Sequence, residues 1–345
     1  MKKVELLSPA GNLEKLKIAF AYGADAVYGG VSHFSLRIRS GKEFTMETFK
    51  EGIDYAHARG KKVYVTINGF PFNAQLNLLK KHILTIAALE PDALIVASPG
   101  VVRLCNELAP QIPIHLSTQA NVMNYLDAQV FYDMGVRRII AAREISLKDV
   151  MNIKEHLPDL EIEIFVHGSM CFAYSGRCLV SAVQMGRVPN RGSCANDCRF
   201  EYTLYAEGDH GTLFRLEEDP DVGTYIFNAK DMNMASAVDE ILDSGAIDSI
   251  KIEGRTKSPY YAAVTAYAYR SAIDDYYEGK FDASIYQREL HTTKNRGFTD
   301  AYLIHRPSER NDTQNHDYAL SKGTYEVSGL VTSDEKYFMC KYKTY

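Results

Sequence analysis

Four of the six cysteines fall between positions 171 and 198, in the spacing C-x6-C-x15-C-x3-C set by Cys171, Cys178, Cys194 and Cys198. In a reducing compartment, clustered thiols act as metal ligands or redox centres more often than as disulfides. Four thiolates in one loop suit a soft tetrahedral centre, either zinc or an iron–sulfur cluster. Zinc sites usually carry paired C-x2–4-C knuckles, and only Cys194 and Cys198 meet that spacing. The pattern therefore favours a cluster, 4Fe–4S, with zinc as the alternative and four unconnected buried thiols as the bland reading. Cys105 lies in an apolar helical pattern and reads as core, while Cys340 falls near the end of the chain.

Other residues of chemical interest stand at the ends of apolar runs. His167 and Glu163 are four apart on one predicted strand, so the two-residue period puts them on one face. His167 then reads as an acid/base or substrate-orienting group, against a hydrogen-bonded structural histidine. His115 is similarly placed, with Gln119 and Asn121 following, whose amides suit the edge of a base or the hydroxyls of a small acid. Lys251, Glu253 and Arg255 alternate to one side of another strand end. A buried group of that kind is costly unless paired or engaged with a ligand. Glu253 is its acid/base candidate, and the Arg255 guanidinium with Lys251 suits a small dicarboxylate. Arg177, Arg187, Arg191 and Arg199 make the cysteine loop basic in a chain of net charge −5. Arg187 and Arg191 are candidates for a phosphate backbone, and Phe172 and Tyr174 for stacking on a base. Balancing the charge of a cluster is the competing role for these arginines.

The elements that must position these residues alternate regularly. Runs at residues 4–7, 25–28, 62–67, 93–97, 114–116, 138–141, 161–166 and 249–252 read as buried strands, and helical periodicity follows most of them. Asn12 is a candidate N-cap of the first helix and Gly23 its stop. Eight strands with intervening helices imply an α/β fold, a (β/α)8 TIM-like barrel spanning residues 1–305. No G-x-G-x-x-G follows the first strand, which removes the support for a dinucleotide fold. The roughly 80 residues between the seventh and eighth strands far exceed an ordinary connection. This 168–248 insertion carries all four clustered cysteines, and it opens on the face where barrel active sites lie. Residues 201–226 read as an irregular β excursion and 259–277 as a long helix. Residues 306–323 read as a linker, and 324–345 as a short β-hairpin appendage.

The motifs in this chain resemble those of the collagenase-like peptidase family of prokaryotes. The main signature is Glu163-Ile-Phe-Val-His-Gly-Ser-Met-Cys171-Phe-Ala-Tyr-Ser-Gly-Arg-Cys178-Leu-Val-Ser181. It is joined by Ser8-Pro9-Ala10-Gly11-Asn12, Gly23-Ala24-Asp25-Ala26-Val27-Tyr28 and Ser117-Thr118-Gln119-Ala120-Asn121. Asn190-Arg191-Gly192-Ser193-Cys194, Lys251-Ile252-Glu253-Gly254-Arg255 and Asn295-Arg296-Gly297-Phe298 complete the set, in order over most of the first 300 residues. The resemblance implies oxygen-independent hydroxylation, with the four cysteines carrying an iron–sulfur cluster. One branch forms 5-hydroxyuridine at the wobble position of transfer RNA and needs prephenate. Other branches hydroxylate a ribosomal RNA cytidine or ubiquinone precursors. The chain looks most like the transfer-RNA branch, although members of that branch usually continue into a fuller C-terminal β domain.

Peptidase activity, the family's older attribution, is weighed separately. There is no H-E-x-x-H and no G-x-S-x-G in the sequence. No leader-like or membrane-length apolar run occurs, so a cytoplasmic enzyme with no membrane partner is expected. The expected partners are tRNA, a small dicarboxylate and, on the rival reading of a cluster-bearing subunit, a paralogous protein.

Overall fold

The computed structural model describes residues 3–31, 34–36, 44–208, 211–216, 227–315, 317–318, 320–321, 323–332 and 337–343. Seven parallel strands follow one another around a barrel: β1 (Glu5–Pro9), β2 (Ala26–Gly29), β3 (Lys62–Ile67), β4 (Ala93–Val96), β5 (Ile114–Leu116), β6 (Val136–Ile140) and β7 (Glu161–Ser169). The insertion contributes the antiparallel pair β8 (Leu204–Glu207) and β9 (Leu213–Leu216), then β10 (Asp231–Asn233). The eighth barrel strand, β11 (Ser249–Ile252), pairs with both β7 and β1 and closes the ring. The expected (β/α)8 barrel is therefore present. Its strands are buried on both faces, which is why they read as continuous apolar runs.

Six helices cover the outside before the insertion: α1 (Leu13–Ala21), α2 (Met46–His57), α3 (Leu76–Ala87), α4 (Pro99–Leu108), α5 (Tyr125–Asp133) and α6 (Leu147–His156). Asn12 caps α1 by accepting from the Lys15 backbone N–H, and the chain leaves the helix through Gly23 at φ +101°. The insertion adds the short α7 (Val180–Met185) and α8 (Val238–Asp243), and α9 (Pro259–Tyr277) follows β11. Ser258 caps α9, and alanines along its buried face let it lie close to the barrel.

Two short strands escape the sequence pattern. β10 runs antiparallel to the far end of β7, pairing Asp231 with Ser169 and Asn233 with His167, while β12 (Phe298–Thr299) runs parallel beside β10. The side chains of Arg296 and Asp231 form a buried ion pair, and Arg296 Nε donates to the Ala229 carbonyl, holding this side sheet together. The segment read as a linker is docked in its middle. Lys230 N donates to Thr313 O at 2.8 Å, and Asn315 N to Asn228 O at 2.8 Å. Beyond it, β13 (Tyr325–Thr332) and β14 (Tyr337–Lys343) form the expected antiparallel hairpin. Of the β excursion read at 201–226, residues 217–226 lie outside the described residues.

Candidate active site

A cavity opens at the C-terminal end of the barrel, and Cys171, Cys178, Cys194 and Cys198 all line it. Its space, counted out to the mouth, is about 1090 Å³. The opposite wall is built from strand ends, with Tyr28 from β2, Thr66 from β3 and Asn68 just after it, Ser117 and Gln119 after β5, and Phe165 from β7. Lys251, Glu253 and Arg255 complete it. The insertion thus stands over the barrel mouth, as expected from its position after β7.

Two glycines let the strand ends converge. Gly168, at φ +108°, has the left-handed conformation that glycine adopts without strain, and a Cβ there would collide with the Glu253 carbonyl. A Cβ on Gly11 would collide with the Arg255 carbonyl. These close approaches explain the glycines of His-Gly-Ser and Ser-Pro-Ala-Gly-Asn.

The cysteine loop is a chain of single turns: Tyr174–Gly176, Pro189–Arg191 and Asp197–Arg199 in 3-10 geometry, with α7 between. Its thiol surroundings fit a thiolate-bound group. Val180 N donates to Cys178 Sγ and Asn196 N to Cys194 Sγ, both at 3.4 Å, and such N–H···S bonds stabilise thiolate charge. Burial raises the Cys198 thiol pKa above its ordinary value, Arg199 opposes that, and the charges of the other three cysteines raise it further. The four sulfurs therefore share one electrostatic neighbourhood. Among the described residues no three His, Cys, Asp or Glu side chains are drawn together into a set for a single ion.

Arg187 and Arg191, the candidates for a phosphate backbone, both hydrogen-bond within the protein. Arg187 Nε donates to Ser193 O at 3.1 Å and Nη2 to Cys194 O at 3.4 Å. Arg191 donates to Gln75 Oε1 at 3.0 Å and lies over the Phe72 ring at 4.2 Å, tying the loop to the segment after β3. Arg255 is likewise committed to the protein, donating to Ser35 Oγ at 2.9 Å, Thr66 Oγ1 at 3.1 Å and the Leu36 carbonyl. These bonds hold the 34–36 segment against the cavity wall, which Arg255 also lines.

Lys251 does not pair with Glu253. Its Nζ donates to Glu163 Oε1 at 2.8 Å inside the barrel, and Arg138 Nη1 donates to Glu163 Oε2 at 3.1 Å. Arg138 also engages Glu5 at 2.5 Å and Glu161 at 2.8 Å. Burial lowers the Lys251 pKa, while Glu163 opposes the shift. Glu253 stays at the cavity, where the Tyr28 hydroxyl donates to Oε2 at 3.0 Å.

His167 leaves the face it was assigned. The β7–β11 register skips a residue, pairing Lys251 with Phe165 and Ile252 with His167, so Val166 forms a bulge. A bulge inverts the alternation beyond it. Glu163 stays inside the barrel, while His167 packs against Tyr261 and Tyr269 of α9 and against Phe298. Its Nδ1 faces the Tyr269 hydroxyl at 3.4 Å, so His167 and Ser169 do not form a nucleophile–base pair. Burial pushes the His167 pKa down to about 3, with Lys257 and His291 adding to the shift. His115 is also buried and sits against the Tyr64 ring at 4.6 Å, below the cavity. Burial, with Arg138 and Lys251, holds its pKa well below the histidine range. Neither histidine lines the cysteine cavity.

The sign of the pH effect follows. With the folded pKa below the unfolded one, the unfolded state binds more protons between about pH 3 and 6.5, so stability falls as pH drops through that window. Moving from pH 7 to pH 5 should cost about 2 kcal/mol through His167 alone, and His167→Gln should flatten that part of the urea-derived stability profile. An unchanged pH slope in the variant would show that His167 protonates freely in the fold.

Gln119 lines the cavity as expected, and its orientation is fixed. Ser117 Oγ and Asn68 Nδ2 both donate to Gln119 Oε1, the latter at 3.2 Å, leaving the amide hydrogens as the available donors. Asn121 instead takes a left-handed conformation at φ 60° after the 118–120 turn, and its Nδ2 reaches Tyr174 O at 3.5 Å. It does not line the cavity. Phe172 lines the cavity and packs on Phe227, whereas Tyr174 does not line it.

Arg143 was not anticipated from the sequence. It follows β6, lines the cavity and lies over the Phe165 ring at 3.9 Å. It has no carboxylate partner among the described residues.

The family described as "Peptidase family U32" matches residues 11–313. The chain belongs to peptidase family U32. Over all 345 residues it is 66% identical to the tRNA hydroxylation protein P of Helicobacter pylori strain J99, covering 82% of that protein. It is 42% identical to the Escherichia coli protein of the same name, covering 97% of this chain and 82% of that one. It is also 31% identical to a Porphyromonas gingivalis protein named collagenase, across 87% of this chain and 73% of that one. No described helix is long and apolar enough to cross a membrane.

Proposed function

We propose that this protein is a cytoplasmic, iron–sulfur-dependent RNA hydroxylase acting on the wobble uridine of tRNA, with prephenate as co-substrate. The observation that carries the reading is one cavity in which four thiols face an oriented amide, in a chain 66% identical to a tRNA hydroxylation protein. Cys171, Cys178, Cys194 and Cys198 would hold the cluster. When bound, a cluster supplies redox chemistry that does not depend on molecular oxygen.

The remaining roles belong to the chain itself. A base inside a folded RNA is reached by extruding it into a pocket and reading its edge. Gln119 presents N–H donors, one of which can meet a carbonyl oxygen of a uracil. Phe172 offers an aromatic face at the mouth. Glu253, oriented by the Tyr28 hydroxyl, is the carboxylate placed to accept or return a proton at the cavity. Arg143, supported by Phe165, is the cation available for a carboxylate of prephenate.

Expression in a strain lacking its own tRNA hydroxylation enzymes, followed by mass spectrometry of tRNA nucleosides, tests this. Wild type should restore hydroxylated uridine. Arg143→Gln should cut the yield about 10- to 100-fold, the loss of one charge-assisted contact, with unchanged urea stability. No hydroxylated nucleoside with wild type, under anaerobic growth and added prephenate, would reject the function.

A further inference from the structure

We infer that Arg199 and Lys257 form an oxyanion subsite holding the phosphodiester next to the target nucleotide. This assignment rests on the RNA-hydroxylase reading above. A second cavity lies on the other side of the cysteine loop, lined among others by Ser169, Arg187, Cys194, Arg199, Thr256 and Lys257. Its space is about 820 Å³ to the mouth. Cys194, Asn196, Arg199 and Glu253 line both cavities, so anything seated in the second is one side chain away from the first.

The charges in this cavity do not cancel. Arg187 is spent on the Ser193 and Cys194 carbonyls, and nearby Arg296 on Asp231. Glu253 keeps its charge and, with Asp231, partly offsets Lys257, but it is one lining carboxylate against Arg187, Arg199 and Lys257. Arg199 and Lys257, both half-buried, have no carboxylate or carbonyl partner among the described residues, and the Lys257 ammonium lies 5.5 Å from the Tyr261 ring centre. Two like charges held near each other in a partly dehydrated cavity are unfavourable until an anion sits between them.

A guanidinium fork beside an ammonium and the Thr256 hydroxyl matches a phosphate oxygen set. The competing role for these cations is to offset the thiolates. Arg199 is positioned to do that, since it lines the thiol cavity. Lys257 is not, because it does not line the thiol cavity. A nucleotide drawn into the thiol cavity leaves its flanking phosphates at the rim, where Lys257 stands. Single-strand binders pair a base pocket with a basic track for the backbone in this way.

The test uses anaerobically purified holoprotein, Lys257→Met, and Lys80→Met as an exposed charge-loss control on α3. Inorganic phosphate is titrated by calorimetry, and tRNA by fluorescence anisotropy across a salt series. Phosphate should bind wild type and Lys80→Met but not Lys257→Met. Lys257→Met should weaken tRNA binding about tenfold, and lower the salt slope by about 0.7, the value of one single-strand phosphate contact. Equal phosphate binding by wild type and Lys257→Met, or none by either, overturns the subsite. Lys257-dependent phosphate binding with unchanged tRNA affinity overturns the phosphodiester as its occupant. If wild type binds phosphate through Lys257 but no tRNA at all, the RNA reading fails while a small-oxyanion site stands.

Discussion

Anaerobically purified protein is expected to be brown, with iron and sulfide in comparable amounts. Cys171→Ser, Cys178→Ser, Cys194→Ser and Cys198→Ser should each bleach it. Serine is nearly the size of cysteine, but its hydroxyl does not ionise near neutral pH and is a hard ligand, so it cannot replace a soft thiolate on iron. Cys105→Ala should keep the colour. That thiol is sealed in the α4 core, and burial pushes its pKa up to about 12. The loop should also depend on the group it holds. Both carboxylate oxygens of Asp197 and the Asn190 Oδ1 are buried without a hydrogen-bond partner among the described residues. Each such atom costs about 1–3 kcal/mol, and although a cluster has no donor for these oxygens, its bonds to the four thiolates would hold the loop that carries them. Chelation should therefore make residues 170–200 the first segment cut by a protease, as read by mass spectrometry of the fragments. Stoichiometric zinc without iron after strictly anaerobic preparation would overturn the cluster assignment.

The barrel was legible because parallel strands buried on both faces leave apolar runs, and the helices between them keep a 3.6-residue period. The cysteine cavity was legible for a different reason: four thiols in one insertion after β7 must overhang the catalytic face. What escaped detection depends on geometry that sequence period does not encode. The bulge at Val166 turns His167 away from Glu163, and nothing in Phe-Val-His announces it. β10 and β12, of three and two residues, are shorter than any periodic signal. Arg138 sits beside an exposed Arg137 in Val-Arg-Arg-Ile-Ile, a pair that reads as surface charge until Glu5, Glu161 and Glu163 are seen around it. Arg143 lies past its strand end, and the Phe165 ring beneath its guanidinium is not a sequence neighbour that could mark it. The amide of Gln119 was found, but its direction comes from Asn68 and Ser117, which are distant or unremarkable in sequence.

Glu163→Ala should be among the most destabilising single changes in the barrel, by about 3–5 kcal/mol in urea unfolding. Glu163 is fully buried and sits between Lys251 and Arg138, whose donors reach its two oxygens at 2.8 and 3.1 Å. Its removal leaves Lys251 buried with Glu253 as its nearest remaining negative charge, and Arg138 with one carboxylate fewer. Lys251→Met should cost less, because Glu163 keeps the Arg138 contact and the methionine stem fills most of the space. Combining Glu163→Leu with Lys251→Met should recover part of the single-variant losses, since an apolar pair of similar volume needs no charge compensation. The same experiment separates stability from function. Lys251 Nζ also lies 4.2 Å from the centre of the Tyr28 ring, and Tyr28 in turn orients Glu253. A double variant restored in stability but inactive would mean that the buried pair positions the Tyr28–Glu253 dyad. Destabilisation below about 1 kcal/mol for Glu163→Ala would mean that Glu5 and Glu161 already neutralise the barrel interior, and that the Lys251–Glu163 pair is dispensable for folding.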